Sequence, residues 1–312
     1  MSGAALLLPG QGSQFVGMGR ELAEAFPVVR ELYEQADASL GVGLARLCRE
    51  GPEGELTATE NAQPAILVHS YAVWKLVADA VGTPVVAAGH SLGEFTAHLI
   101  AGTFSFEDAL RIVRRRGELM AKSGEERPGT MAAVLGLDAE VLAEICERLP
   151  SGTVVPANLN APGQVVISGD VDAVREASAR AGDAGARRVV PLNVGGAFHS
   201  PLMAVAAEGL AAALDAARVG DPRFPVVANS TAEPVTDADG ARERLVEQLT
   251  SPVRWMDVIH RMSGFGPSRW LELGPGNVLT GLLRRIDRDL RAESIGDPAT
   301  VEAFLGAAIS DT

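Results

Sequence analysis

The sequence predicts an α/β protein with a second, smaller βαββαβ unit set into it. Three observations predict this: a G-x-S-x-G turn at 89–93 that closes a short apolar run, another apolar run near the start that breaks at a Gly-rich loop, and an order of elements over 129–194 unlike that on either side. With 312 residues, 47% hydrophobic and 21% charged, the chain has ample material for a core and suits one large domain or two smaller ones.

Ala4–Leu8 reads as a buried strand ending in Pro9-Gly10-Gln11-Gly12-Ser13-Gln14, and a polar, Gly-rich loop after a strand often lines a site. A helix is expected around Arg20–Leu40 and another near Asn61–Ala80, with Pro64 near its first turn. Val85–Ala88 reads as a buried strand and Glu94 onward as a helix, so Gly89 and Gly93 flank Ser91 at a strand-to-helix elbow. Such a turn exposes the hydroxyl and aims the helix's free amides at a reacting oxygen. A further helix spans Glu107–Met120. The next stretch reads as strand (Thr130–Leu135), helix (Ala139–Leu149), strand (Val154–Leu159), strand (Gln164–Ser168), helix (Val171–Ala181) and strand (Ala186–Leu192), the ferredoxin-like pattern, with hairpin chemistry at Asn160-Ala161-Pro162-Gly163. From about Gly195 the large body resumes, with helices near Pro201–Ala217 and Val253–Met262, a strand at Ser268–Leu273, and a Gly274-Pro275-Gly276-Asn277 turn into a last amphipathic stretch.

A formal charge of −13 argues against nucleic acid or an anionic membrane as partner, and any acidic partner needs a local basic patch. Cys48 and Cys146 are far apart without metal-type spacing, so neither a disulfide framework nor a zinc site is expected. The first residues carry no basic leader and their apolar run is too short for a bilayer; a cytoplasmic protein is expected.

A nucleophilic serine needs a general base. Of the five histidines, His90 adjoins Ser91 and points elsewhere on an elbow, while His69, His98 and His260 fall within helical runs. His199 sits at the end of the flexible Asn193–Phe198 approach, before a helix start, and is the expected base; the bland alternative is a structural histidine. No acid between residues 94 and 198 stands out as its partner, and a backbone carbonyl can orient an imidazole as well. On the Glu107–Met120 helix, Ala109, Ile112, Val113, Leu119 and Met120 share one side, and Arg111, Arg114, Arg115 and Glu118 the other; Arg116 falls in the middle of the apolar side. An inward guanidinium requires an anion, either a protein carboxylate or a substrate one.

Pro9-Gly10-Gln11-Gly12-Ser13-Gln14, Gly89-His90-Ser91-Leu92-Gly93-Glu94, Arg115-Arg116-Gly117, Asn160-Ala161-Pro162-Gly163-Gln164, Phe198-His199-Ser200 and Gln248 through Pro252-Val253-Arg254-Trp255 resemble, in that order, the malonyl-CoA:acyl carrier protein transacylases of bacterial fatty acid synthesis, from about Leu7 to Leu283. The resemblance implies a large hydrolase-like α/β subdomain (1–125 and 195–312) with a ferredoxin-like small one (126–194). It implies that Ser91 is acylated, that His199 is its base, that Arg116 pairs with the malonyl carboxylate, that the amides of Gln11 and Leu92 form the anion hole, and that the Gln248 carbonyl orients His199. Asn160 matches a position near the mouth of the site. Phe198 is the residue malonyl-selective members tend to carry, and Gly196 departs from many modular polyketide acyltransferases, which have His or Tyr there. The substrates implied are malonyl-CoA and a phosphopantetheinylated acyl carrier protein, with no metal or redox cofactor and a monomeric enzyme. The carrier is acidic, so Arg187 and Arg188, or Arg284, Arg285 and Arg288, are candidate docking residues, against the plainer reading of solvated faces. The rival readings are a stand-alone polyketide acyltransferase, a serine thioesterase or hydrolase, and a non-catalytic acyl-binding module.

Overall fold

The computed structural model describes residues 3–310. Strand β1 (Ala4–Leu8) leads through α1 (Arg20–Ala25), α2 (Pro27–Leu40), α3 (Leu44–Glu50) and α4 (Glu53–Thr57) to the long α5 (Thr59–Val81). Strand β2 (Val86–Gly89) turns into α6 (Leu92–Ala101), followed by α7 (Phe106–Glu126). Next come β3 (Gly129–Leu135), α8 (Ala139–Glu147), β4 (Val154–Ala161), β5 (Gln164–Asp170), α9 (Val171–Asp183) and β6 (Arg188–Pro191). After a 3-10 turn at Pro201–Met203, the chain finishes with α10 (Ala204–Asp215), β7 (Val226–Val227), β8 (Pro234–Val235), α11 (Ala238–Glu247), α12 (Trp255–Ser263), β9 (Arg269–Leu273), α13 (Val278–Ile286), β10 (Ala292–Ile295) and α14 (Pro298–Ser310).

Two sheets result. The larger runs β10-β9-β1-β2-β7-β8, parallel throughout except for the closing β7–β8 hairpin. Its central strands β1 and β2 are buried along their whole length, which is why they read as unbroken apolar runs: helices cover both faces of a parallel sheet. Truncating a side chain such as Leu6, fully buried in this core, to Ala would cost about 2–5 kcal/mol. The smaller sheet runs β4-β5-β3-β6, antiparallel throughout, and the order β3-α8-β4-β5-α9-β6 with this pairing is the ferredoxin-like arrangement. Val134, Leu142, Ile167 and Val174 are among the residues of its own apolar cluster. The outer edge of β4 is joined to the segment before α12: Val253 donates its amide to the Ala157 carbonyl at 2.8 Å and accepts from the Leu159 amide at 2.9 Å.

The expected Arg20–Leu40 helix is two helices. Pro27 disfavours helical geometry at the residue before it, and Phe26 is extended (φ −126°, ψ 112°), so α1 ends and α2 restarts with Pro27 in its first turn. Pro64 sits inside α5, in its second turn, since the helix begins at Thr59. Proline cannot donate to the carbonyl four residues back, that of Glu60, and Arg114 of α7 supplies the donor instead at 3.3 Å. Arg114 also bonds Asn61 Oδ1 at 2.7 Å, so it is half-buried packing between α7 and α5 rather than part of a solvent face. No helix among the described residues is long and apolar enough to cross a membrane.

Candidate active site

The site lies at the carboxyl ends of β1 and β2. Leu8 pairs with Gly89 in the ladder, and the chain leaves β2 through His90 and Ser91 into α6. Ser91 has φ 51° and ψ −105°, a conformation L-residues rarely adopt, and the surroundings hold it there. Its amide donates to Asn229 Oδ1 at 2.7 Å, its carbonyl accepts from Gln248 Nε2 at 2.9 Å, and Asn229 Nδ2 donates to the Gly89 carbonyl at 2.8 Å. Gly89 and Gly93 are needed for close approach: a Cβ on Gly93 would lie 2.0 Å from the Leu8 carbonyl oxygen, and one on Gly89 1.9 Å from the Gly93 carbonyl carbon.

Ser91 Oγ stands 2.7 Å from His199 Nε2, and His199 Nδ1 stands 2.8 Å from the Gln248 carbonyl oxygen. A carbonyl only accepts, so Nδ1 carries the proton and Nε2 is the acceptor facing the serine hydroxyl. The orienting role that a carboxylate plays in many serine enzymes falls here to a main-chain carbonyl. His199 also has a positive φ of 57°. Burial, then the nearby Arg116 charge, pushes its pKa down to about 3, so the ring is neutral at physiological pH. Replacing His199 by Ala should slow acylation of the protein by about a hundredfold or more in a single-turnover mass measurement. His260→Ala, an exposed position, should leave the rate unchanged, and equal losses from the two would remove His199 from the mechanism.

Arg116 is 1% exposed. Its NH1 donates to Gln63 Oε1 at 2.8 Å, and its NH2 donates to Gln248 Oε1 at 2.7 Å and to Ser91 Oγ at 3.0 Å. The guanidinium also lies over the Phe95 ring, 5.2 Å from its centroid. Among the described residues no carboxylate contacts it; neutral oxygens hold it in place, and burial lowers its pKa to about 9 while Glu94 raises it. No protein carboxylate is bonded directly to it among the described residues, and a buried cation stands against the serine hydroxyl.

The amides of Gln11 and Leu92 meet no acceptor among the described residues, Gln11 in the loop after β1 and Leu92 at the start of α6. A cavity of about 290 Å³ reaches Ser91 and His199, with Gln11, Met120, Met131, Leu192 and Phe198 in its wall. Gly196 leaves room for Phe198: a Cβ there would lie 2.8 Å from the ring's Cε1. His90 is among the residues of the cavity wall, and its ring is turned to Asn160, whose Oδ1 lies 2.8 Å from Nε2, which ties the β4–β5 hairpin to the elbow. Asn160 is buried behind that bond, and Asn158 of the same strand faces the cavity. Sequence reasoning missed Gln63, Asn229 and the role of Glu94; the one local signal was Glu94, the sole carboxylate in the mostly apolar run of α6.

The two arginine clusters converge at one place. Arg187 and Arg188 lie beside Leu135 and Gly136, Gly136 bonds the Gly163 carbonyl, and Arg285 of α13 donates to Gln164 Oε1, so the tip of the β4–β5 hairpin lies between them. All five arginines are exposed.

Three imidazoles, His69, His98 and His199, are buried and neutral, and a fourth, His90, is half-buried. Burial is the first cause in each, pushing His69 down to about 4, His98 and His199 to about 3, and His90 below its usual value. In the unfolded chain they titrate near pH 6.5, so their contribution to stability is present above that pH and is lost as the pH falls towards the folded values. Glu94, raised by burial to about 7, and Glu272, also raised by burial, act oppositely, favouring the folded state as pH falls. His69, His98 and His199 against Glu94 leave a net uptake of about two protons on unfolding between pH 6 and 5. Urea titrations should show stability falling by about 2–3 kcal/mol per pH unit between pH 6 and 5; a flat profile would contradict the buried, neutral assignment.

A strained serine at a strand-to-helix elbow, an imidazole on its hydroxyl and free amides on either side define a serine acyl enzyme on an α/β scaffold. The acyl transferase domain family matches residues 6–309. The chain is 45% identical over 304 residues to the malonyl CoA-acyl carrier protein transacylase of Bacillus subtilis, covering 97% of this chain and 96% of that protein. It is 42% identical over 307 residues to the enzyme of that name from Escherichia coli K12, covering 98% and 99%. The crystal structure of malonyl-CoA:acyl carrier protein transacylase from Xanthomonas oryzae superposes with a TM-score of 0.94 at 42% identity over 98% of each chain. A malonyl-transacylase solved in complex with its type II PKS acyl-carrier protein also gives 0.94, at 41% identity over 98% of this chain and 100% of that one. The chain belongs to the malonyl-CoA:acyl carrier protein transacylase family.

Proposed function

We propose that the protein transfers the malonyl group of malonyl-CoA to the phosphopantetheine thiol of an acyl carrier protein through a malonyl-Ser91 intermediate, as the acyltransferase that supplies extender units for fatty acid synthesis. The observation that carries the acid-specific part of this reading is Arg116: a buried guanidinium, touching the nucleophile and paired with no protein carboxylate, suits an acyl group that ends in one.

His199 Nε2 takes the Ser91 proton as Oγ attacks the thioester carbon, and the oxyanion is held by the Gln11 and Leu92 amides. The intermediate collapses with loss of the CoA thiolate, which takes the proton from His199. The carrier thiol then gives its proton to His199, attacks the malonyl ester, and Ser91 leaves with the proton returned to it. The Arg116 charge contributes to the low basicity of His199 in the free enzyme. A malonyl carboxylate that neutralises Arg116 weakens that effect, so the correct substrate strengthens its own base. The test is the intact mass of the protein after incubation with malonyl-CoA, acetyl-CoA and methylmalonyl-CoA, then with carrier protein. A malonyl mass that appears and is removed by the carrier is expected; free malonate at a rate rivalling transfer would favour a thioesterase.

For the carrier, the wide basin of about 640 Å³ that shares Gln11, Thr57, Asn193 and Val194 with the active-site cavity is walled by Glu53, Glu60 and Glu125, which repel an acidic partner. The converged Arg187, Arg188, Arg284, Arg285 and Arg288 offer the opposite charge. Changing Arg284 and Arg288 to Glu should raise KM for the carrier about tenfold, less at high salt, with malonylation by malonyl-CoA unchanged. An unchanged KM would leave these arginines as a solvated face. The division into 1–125 with 195–312 and 126–194 follows the two sheets under this reading, and the buried free cysteines Cys48 and Cys146 suit a cytoplasmic enzyme.

A further inference from the structure

Glu94 is fully buried in the first turn of α6, three residues beyond the nucleophile, in a helix whose other residues are all buried too. Its Oε2 accepts from the Asn229 amide at 3.0 Å and from Gln248 Nε2 at 2.7 Å, while Oε1 meets no donor. The other end of the same side-chain amide, Gln248 Oε1, accepts from Arg116 NH2 at 2.7 Å. A carboxylate, an amide and a guanidinium thus stand in series, with both charged groups buried and no direct contact between them.

The spacing has a consequence for binding. A carboxylate bonded directly to Arg116 would have to be displaced by any incoming acid, whereas one held behind an amide balances the charge through space and leaves the guanidinium available. In the free enzyme an ionised Glu94 and Arg116 sum to zero. A substrate carboxylate brings the buried group to −1, which is costly in a dry interior unless a proton arrives. We propose that Glu94 is the resident counter-charge of Arg116, acting through the Gln248 amide, and that its carboxylate, where ionised, takes up a proton from solvent when a substrate carboxylate pairs with Arg116. This rests on the malonyl reading above.

The other groups facing Glu94 are few. Glu247, at the end of α11, adds a like charge, although its carboxylate is engaged by Arg244 and by Ser230 Oγ at 3.1 Å. His199, beyond the Gln248 carbonyl, and His98, one turn along α6, are neutral. Burial already lifts the Glu94 carboxyl to about 7 against the pull of its hydrogen bonds and Arg116, so an added negative charge near neutral pH shifts it to the protonated form.

The measurement is calorimetric titration of the unreactive Ser91→Ala protein with malonyl-CoA at pH 7 in phosphate and in Tris, whose different ionisation heats report proton uptake. Acetyl-CoA is the control for protons taken by the CoA moiety. A substantial fraction of a proton should be taken up with malonyl-CoA beyond the acetyl-CoA value, and the Ser91→Ala/Glu94→Gln protein should take up none while favouring malonyl-CoA over acetyl-CoA more strongly. Equal uptake for the two thioesters in Ser91→Ala alone overturns the proposal without recourse to the double variant, as does malonyl-specific uptake that persists in Glu94→Gln. A wild-type enzyme that gains no malonyl mass overturns the functional reading itself; loading without proton uptake overturns only the role of Glu94.

Discussion

Ser91→Ala is expected to abolish the malonyl adduct and to lower transfer by about four to six orders of magnitude, while the protein still folds. The hydroxyl is the only atom lost, and it is the atom between His199 Nε2 and Arg116 NH2. What remains is well supported: Arg116 NH2 keeps Gln248 Oε1, His199 keeps the Gln248 carbonyl, and Asn229 still holds the amide of residue 91. The strained backbone is no worse for Ala than for Ser. Intact mass after exposure to malonyl-CoA, with thermal unfolding to check the fold, decides the matter, and a persisting adduct would place the nucleophile elsewhere.

Arg116→Ala is expected to reduce kcat/KM for malonyl-CoA by about 3–5 kcal/mol, a factor of roughly two hundred to several thousand, because the substrate carboxylate would enter a dry site without its partner. Acetyl-CoA has no carboxylate to strand and should lose far less, so the preference between the two thioesters shifts towards acetyl. The control is Arg115→Ala: its side chain is 53% exposed on the far side of the helix, whereas Arg114 is committed to α5. Arg116→Lys, which keeps a charge without the planar fork, should fall between. If Arg116→Ala lowers both substrates equally, or melts the protein, the guanidinium serves the packing of Gln63 and Gln248 rather than the substrate.

Much of this was legible in the sequence, because the informative signals were local. The elbow around Ser91, the alternation of elements from Gly129 to Val194, and a lone arginine on an apolar helix face each sit within one short window. The oxygens that hold Arg116 do not: Gln63 is 53 residues away and Gln248 is 132, and no periodicity reports on contacts across such distances. Asn229 follows a two-residue strand, too short to carry a pattern, and β8 has the same length. The break at Phe26-Pro27 was visible in principle, since a proline marks a probable helix boundary at the residue before it, but the helical periodicity on both sides masked it.

The junction at Val253 bears on how relatives of this protein can exchange parts. The smaller sheet meets the larger body there through main-chain hydrogen bonds, which tolerate almost any side chain, and through Ala157 and Val253, which are both fully buried and tolerate little change in volume. A transplanted 126–194 segment would also have to match its host at Asn160, which bonds His90, at Gln164, which meets Arg285, and at Met131, Ala161 and Val166, which pack into the clusters of the large body. It would carry Met131, Asn158 and Leu192 of the cavity wall with it and leave Ser91, His199, Arg116 and Gln248 behind. Exchange at this seam would redraw the shape offered to an acyl chain while Ser91, His199 and Arg116 keep their own contacts within the large body.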